Sequence, residues 1–518
     1  MKENRNTNGV LEGALSLTIA TIVVKILGAI YKIPISHVLG EEGMGYFNSA
    51  YTVYSFFFLL CTAGVPKAIM LLCADADGDK RREERIITSA VGFFLLIGVT
   101  MSLAFSFLSV SLSKLIGSPE AYLSMIFIAP SILFSAVSGV WRGYFSAKIK
   151  FLHVAISQII EGAGRLLFGL VLAASSSYAK APLSTVSAFA ILGATLGSVS
   201  GFLYLYVVSK ISKTPKIAGQ KPNIDEKTQI ISKIIKISLP IAIGAMIMSI
   251  TNIIDLGIVM RRLIYIGYSS TSATSLYGNY TTFATPMFNT VVSLFTPLTV
   301  AFMPMLIKER TDKGRLYAVM KNELDISYFI FIPITLGLCT YSEEILLLLF
   351  DDSGVFLGSK LLVYMMLSVF FLIPLSILNC TMEAIGEVKA PMISMLIGGV
   401  FKMIFGYLLI GNMGFGIIGA PLSTLIFYGV ALITSEIIAY KKSGIVMPII
   451  RSSFLPLVNS FISIYTVYPI YTYVSVKINW IVAFLLSVAL SIVLYVLVNA
   501  LEDLAKLKSY VKLQNAQM

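Results

Sequence analysis

The chain has 518 residues, 57% of them hydrophobic and only 13% charged, with a mean hydropathy of +0.86. A soluble domain carries roughly 25% charged residues, so a soluble globular protein is excluded, and the same numbers exclude disorder. The net charge of +12 would suggest nucleic acid in a soluble chain. In an all-α polytopic membrane protein it marks the cytoplasmic loops that hold the chain's orientation.

A helix needs about 20 mostly apolar residues to cross about 30 Å of hydrocarbon. The sequence supplies fourteen such runs. The first six lie near 11–36, 46–73, 86–112, 121–145, 152–176 and 184–208. A polar insert follows, from Lys210 to Lys233. The next six lie near 232–260, 274–306, 322–342, 360–384, 390–411 and 415–440, and the last two near 453–476 and 479–500. No room remains for a separate soluble domain.

The N-terminus, Met-Lys-Glu-Asn-Arg-Asn, has no small-residue cleavage site before the first run and reads as an uncleaved cytoplasmic end. With that end inside, most of the 39 Lys and Arg fall in cytoplasmic segments, notably 80–85, 142–150, 210–236, 308–321, 441–451 and 506–512. The other side holds only Lys114, Lys180, Arg261, Arg262, Lys360 and Lys477. This bias sets both termini in the cytoplasm of a multi-pass plasma-membrane protein. Cys61, Cys73, Cys339 and Cys380 fall in or beside apolar runs without metal or disulfide spacing, and read as packing residues. With only His37 and His153, a histidine metal site or a Ser/His/Asp triad is improbable. No metal and no cofactor are expected.

The chain resembles itself across the central insert. Arg165-Leu-Leu-Phe-Gly in the fifth run matches Lys402-Met-Ile-Phe-Gly in the eleventh, and Gly193-Ala-Thr-Leu-Gly matches Gly419-Ala-Pro-Leu-Ser. Pro66 and Pro304 are each expected to end a helix before a charged loop. The expected organisation is an N-terminal lobe 1–210, a cytoplasmic linker 211–231, a C-terminal lobe 232–441, and two further helices with a tail at 442–518. Two six-helix lobes in parallel repeat suit a transporter that rocks around a central cavity.

Charges within spans are costly and normally face a wet cavity or a partner. Lys25 and Lys32 lie two turns apart on one face of the first helix, a candidate cationic stripe for an anionic substrate. Glu161 and Arg165, spaced i, i+4, suggest either an internal ion pair or a cavity role. Lys402 stands in mid-span with Gly398, not an acid, four residues before it. Asp255 is a candidate for a coupling cation or a counter-charge. Arg261 and Arg262 suit phosphate at an outer mouth or a lipid headgroup. Asn48, Tyr51, Asn279, Tyr280 and Asn289 offer either sugar contacts or interhelical hydrogen bonds. The four deep bases outnumber the two deep acids, Glu161 and Asp255, and favour a phosphate or diphosphate over an organic cation.

Three segments carry a family resemblance: Lys25-Ile-Leu-Gly-Ala-Ile-Tyr-Lys32-Ile-Pro, Leu39-Gly-Glu-Glu-Gly-Met-Gly-Tyr-Phe-Asn-Ser-Ala-Tyr51, and Thr62-Ala-Gly-Val-Pro-Lys67-Ala-Ile69. The chain resembles the stage V sporulation protein B group of polysaccharide-export flippases. These are relatives of the MurJ lipid II flippase in the multidrug/oligosaccharidyl-lipid/polysaccharide exporter superfamily. The resemblance implies fourteen helices in a 6+6+2 arrangement. It also implies transfer of an undecaprenyl-diphosphate-linked saccharide from the inner to the outer leaflet, and a basic residue at Lys25. The family's further cavity arginines in the second and eighth helices are absent here. An acid in the seventh helix matches Asp255, but its companion in the eleventh is missing. In MurJ the last two helices help form a groove for the lipid tail, and 453–500 is apolar enough to do so.

The expected function is therefore a lipid-linked saccharide flippase working by alternating access, in a lipid bilayer, with Na⁺, H⁺ or the membrane potential as energy source and no nucleic acid partner. The alternative within the superfamily is a cation-coupled drug antiporter, which needs a carboxylate in its cavity. A membrane enzyme would have to use the outer acids Glu343, Glu344, Asp351 and Asp352.

Overall fold

The computed structural model describes residues 2–76, 79–211, 223–350, 354–387 and 389–515, with side chains described between 23 and 501 except at scattered positions. Among these residues every regular element is a helix. In chain order they are α1 (Lys2–Thr62), α2 (Val65–Asp75), α3 (Lys80–Leu115), α4 (Tyr122–Ile128), α5 (Pro130–Ala147), α6 (Phe151–Tyr178), α7 (Leu183–Ile211), α8 (Ile224–Tyr265) and α9 (Ser270–Asn279). A π-helical turn, Tyr280–Ala284, leads into α10 (Thr285–Lys308). Then come α11 (Lys313–Thr340), α12 (Ser342–Phe350), α13 (Val355–Met366), α14 (Val369–Ala384), α15 (Lys389–Ile410), α16 (Gly419–Ser443), α17 (Ile449–Val474) and α18 (Trp480–Asn515).

Eleven segments among the described residues are long and apolar enough to cross a membrane. They coincide with eleven of the fourteen expected runs. The other three runs, 11–36, 232–260 and 274–306, contain side chains outside the described residues. The helix starts follow local chemistry. Asp79 accepts from the backbone N–H groups of Arg81 and Arg82, and Asp312 from those of Gly314 and Arg315, each satisfying donors that an exposed helix end leaves open. Gly444 closes α16 in the left-handed conformation.

Two boundaries differ from the sequence expectation. The loop expected between the first two spans is a single residue, Gly40, at φ 59 and ψ −171, where two helices meet within α1. The second expected span, 46–73, is itself broken at the left-handed Gly64. Pro66 therefore opens α2 and does not close the preceding helix, because the first turn of a helix is where a missing N–H costs nothing.

The chain divides into two compact units, Met1–Gly278 and Asn279–Met518. In the first unit, α6 and α7 meet through glycines. A Cβ on Gly193 would lie 2.4 Å from the α-carbon of Gly169, and one on Gly197 would lie 2.5 Å from the Glu161 carbonyl oxygen. The Gly193-x3-Gly197-x3-Gly201 spacing places these residues on one helix stripe and lets two backbones touch. The long helix α8 also packs in this unit. Arg85 pairs with Glu226 at 2.6 Å, Ser55 shares a 2.7 Å hydrogen bond with Ser249, and Gly64 abuts the Ser238 backbone.

In the second unit, α15 and α16 repeat the glycine device. Gly419 approaches the Ile410 backbone nitrogen so closely that an added Cβ would stand 2.7 Å from it. Thus the matched motifs at Gly193 and Gly419 both sit where two helices come into backbone contact. The four cysteines are free, Cys61 and Cys73 fully buried, and they serve as packing groups.

Candidate functional site

In the first unit a cavity of about 200 Å³ is lined by Gly28, Tyr31, Lys32, Ile35, Met44, Phe47, Asn48, Tyr51, Arg165 and Ala194. The elbow at Gly40 makes it possible. Lys32 comes from the part of α1 before the elbow, and Asn48 and Tyr51 from the part after it. Arg165 enters from α6, which the glycine seam presses against α7. Tyr31 donates a 2.9 Å hydrogen bond to the Ala190 carbonyl of α7 and fixes the first wall. Phe47 stacks on Tyr51 with an interplanar angle of 3°, and Tyr31 tilts against Phe47, so one wall is a row of aromatic faces.

The lining contains two bases and no acid. The Arg165 guanidinium hydrogen-bonds the Tyr51 hydroxyl, yet its buried Nε has no acceptor. A buried guanidinium with a donor left open is chemically suited to an oxygen-rich anion, which such a group can grip with two parallel hydrogen bonds.

Of the two readings of the Glu161/Arg165 spacing, a direct ion pair or a cavity role, the direct ion pair is not formed. Glu161 Oε2 instead receives Arg142 Nη2 at 2.7 Å, and Arg142 Nε donates to Ser157 at 3.1 Å. The reason is geometric: the Glu161 carboxylate turns toward α5, where the planar fork of Arg142 faces it. The sequence neighbourhood of Arg142 suggests a cytoplasmic loop, but the residue lies within α5. The pairing gives Glu161 its direct partner on α5, while Arg165 lines the cavity and stays within electrostatic reach of Glu161.

The remaining expected residues scatter. Lys25 lies on α1, but its side chain is outside the described residues. Arg261 is exposed and donates to the Leu115 carbonyl at 3.1 Å; Arg262 lies over the Tyr265 ring at 4.4 Å. Neither lines the cavity. Asp255 is half-buried on α8. In the second unit, Asn279 and Tyr280 are buried and Asn289 is exposed. Lys402 lies close enough to Tyr428 of α16 to act on it electrostatically, and the Tyr428 ring packs against Phe288 at 5.8 Å.

A second concavity belongs wholly to the second unit. It encloses about 480 Å³ between α11, α17 and α18, with walls from Phe329, Pro333, Gly337, Ile464, Val488 and Ile492 among others. Its lining is almost entirely apolar. Tyr341, Tyr468, Tyr471 and Phe484 close one end as a ring cluster, with Tyr341 edge-to-face against the other three. Burial and the neighbouring Glu343 carboxylate hold Glu344 above the ordinary carboxylate range, while the Tyr471 hydroxyl donates to it. Of the outer acids considered for catalysis, Glu344 is thus tied into this ring cluster and Glu343 is exposed; Asp351 and Asp352 lie outside the described residues. Among the described residues no three His, Cys, Asp or Glu converge to hold a metal.

Comparison with known proteins decides the family. Residues 10–309 match the polysaccharide biosynthesis protein family, and residues 310–408 match the MatE family. The chain belongs to the polysaccharide biosynthesis protein family. It is 25% identical to stage V sporulation protein B of Bacillus subtilis over 434 residues, covering 82% of each chain. It is 22% identical to the lipid II flippase MurJ of the same organism, covering 84% of this chain and 83% of that one. A solved structure of MurJ in an inward closed conformation superposes with a TM-score of 0.73 at 18% identity, covering 94% and 99% of the two chains. A multidrug transporter of the MATE family, inward-facing, superposes with a TM-score of 0.67 at 14% identity, covering 83% and 98%. The fold is therefore the MurJ/MATE fold, and the chain is a multi-pass membrane protein homologous to flippases and transporters.

Proposed function

We propose that this protein is a flippase for a polyprenyl-diphosphate-linked saccharide, moving a cell-wall or polysaccharide precursor from the inner to the outer leaflet by alternating access. The observation that carries the reading is the cavity of the first unit, which presents Lys32 and Arg165 with no acid in its lining and leaves Arg165 Nε without an acceptor. Arg165 and Lys32 hold the diphosphate, Lys25 extends the cationic face of α1, and the Tyr31, Phe47 and Tyr51 faces stack on sugar. Asn48 contributes a hydrogen bond.

In the second unit Lys402 is the repeat counterpart of Arg165, beside Tyr428, and the apolar groove takes hydrocarbon of the polyprenyl tail. Asp255 modulates charge on α8. The Lys/Arg bias places both termini in the cytoplasm. The relatives named as flippases support this reading. A cation antiporter of the same superfamily is less well supported, because the cavity offers bases where such a protein needs a carboxylate.

The test is a leaflet-accessibility assay for lipid II in cells that rely on this protein alone. Outer-leaflet lipid II is expected to accumulate while the protein is expressed and to vanish on its depletion. An unchanged leaflet distribution on depletion would remove lipid II as the substrate.

A further inference from the structure

Among the described residues two acids are buried, and where Glu83 pairs with Lys148, the other has no partner. Glu323 of α11 has no exposed surface, and neither carboxylate oxygen has a hydrogen-bond partner. On the opposite face of the helix, Lys321 and Asp325 pair with each other at 2.6 Å, each side chain 39% exposed. Along the helix axis Glu323 lies about 15 Å from Lys313 at the charged end of α11.

Among the described side chains, the elements packed around α11 offer it no counter-charge. From α14, the Cys380 thiol is near enough to feel the Glu323 charge, but it is directed at the Thr299 carbonyl at 3.7 Å and the Met303 sulfur at 3.3 Å. Glu383, one turn on, also acts on Cys380 and is a like charge. Among the described side chains, the titratable groups of the other packed helices are Lys308 on α10; Glu343 and Glu344 on α12; Lys360 and Tyr364 on α13; Arg451, Tyr465, Tyr468, Tyr471 and Tyr473 on α17; and Tyr495 on α18, which donates to the Phe329 carbonyl. None of them bonds Glu323. Lys360, for example, sits over the Phe356 ring at 4.1 Å. Thr299, joined to this neighbourhood through Cys380, has a buried hydroxyl that also lacks a hydrogen-bond partner.

An ionised carboxylate cannot be kept in an apolar interior without a partner, whereas the neutral acid can. We propose that Glu323 is a proton-binding site. It is carried as the neutral acid in this conformation, and releases its proton to water when a second conformation wets this level of α11. The step needs no other reactant: H⁺ leaves and the carboxylate remains. Its consequence, proton-coupled transport, rests on the flippase reading above; the site itself does not.

Infrared difference spectra of the purified full chain at neutral pH, wild type minus Glu323→Gln, test the site without any substrate. A protonated-carboxyl stretching band lost in Glu323→Gln is expected, and its absence overturns the proposal. Proteoliposomes holding trapped pyranine and lipid II test the coupling. Wild type is expected to move protons with lipid II, and Glu323→Gln to lose proton movement and dependence on a pH gradient. Unchanged dependence in the variant overturns the coupling assigned to Glu323. Glu323→Met fills the same space without an orphaned polar atom and serves where the amide destabilises the bundle. It is expected to melt above wild type and to lose gradient dependence just as the amide does. Vesicles that show no lipid II movement, from protein that shows the band, support the proton site and overturn the lipid II reading.

Discussion

The two concavities of this protein are opposites. The cavity of the first unit is small, about 200 Å³, aromatic on one wall and cationic on another. The groove of the second unit is more than twice that volume and almost without polar atoms. A cavity built from charged groups needs those charges held by the scaffold, as the Tyr51 hydroxyl and the Arg142–Glu161 pair hold the surroundings of Arg165. A groove built for hydrocarbon needs only shape. The difference suits a substrate with a charged, hydrogen-bonding head and a long featureless tail, and it makes the two regions fail in different ways.

The largest expected effect is at the cationic wall. Arg165→Ala removes a buried charged donor, and loss of such a partner costs roughly 2–5 kcal/mol of binding. Lipid II movement in proteoliposomes is expected to be nearly abolished while the melting temperature stays near wild type; full activity would break the contrast between the two regions. The groove should respond to bulk and not to charge. A Cβ on Gly337 would meet nothing within 4 Å, so Gly337→Trp is expected to fill the groove and slow transport roughly tenfold, about 1.4 kcal/mol, again without unfolding. Retained transport of the long-chain lipid would detach the groove from the tail.

A smaller effect is expected from the seam behind Arg165. Gly197→Ala drives a methyl into the Glu161 carbonyl and the Arg165 backbone. Overpacking of this kind costs about 1–3 kcal/mol, read as a lower melting temperature together with weaker transport. The smallest is Arg261→Ala. Its exposed side chain touches only the Leu115 carbonyl among its described contacts, so stability should change by no more than about 0.5 kcal/mol and transport should be unaffected. A strong transport defect there would return the outer arginines to the substrate path.

Much of this is legible in the sequence because a bilayer imposes a length and a polarity on every span. Eleven expected runs coincide with helices long and apolar enough to cross a membrane, and Lys32, Asn48, Tyr51 and Arg165, singled out as polar residues within apolar runs, line one cavity. What sequence spacing does not give is pairing between helices. Glu161 and Arg165 are neighbours by number, yet the carboxylate finds Arg142 on another helix. Arg142 and Glu323 escape a reading by spacing for a shared reason. Each lies near the charged end of its helix, beside Lys148 and Lys150 or between Lys321 and Asp325, and there a polar residue reads as interface. Only the rotation of the helix shows that both point inward. The elbow at Gly40 is equally hidden, since a loop of several residues and a one-residue bend leave similar traces in an apolar profile.

That elbow makes the cavity a calliper. One jaw carries Lys32 and the other Asn48 and Tyr51, and a single pin, the Gly40 dihedral pair, sets the gap. A backbone at φ 59 and ψ −171 is open to glycine and essentially to nothing else. The width of the gap is therefore governed by a residue that has no side chain and does not line the cavity.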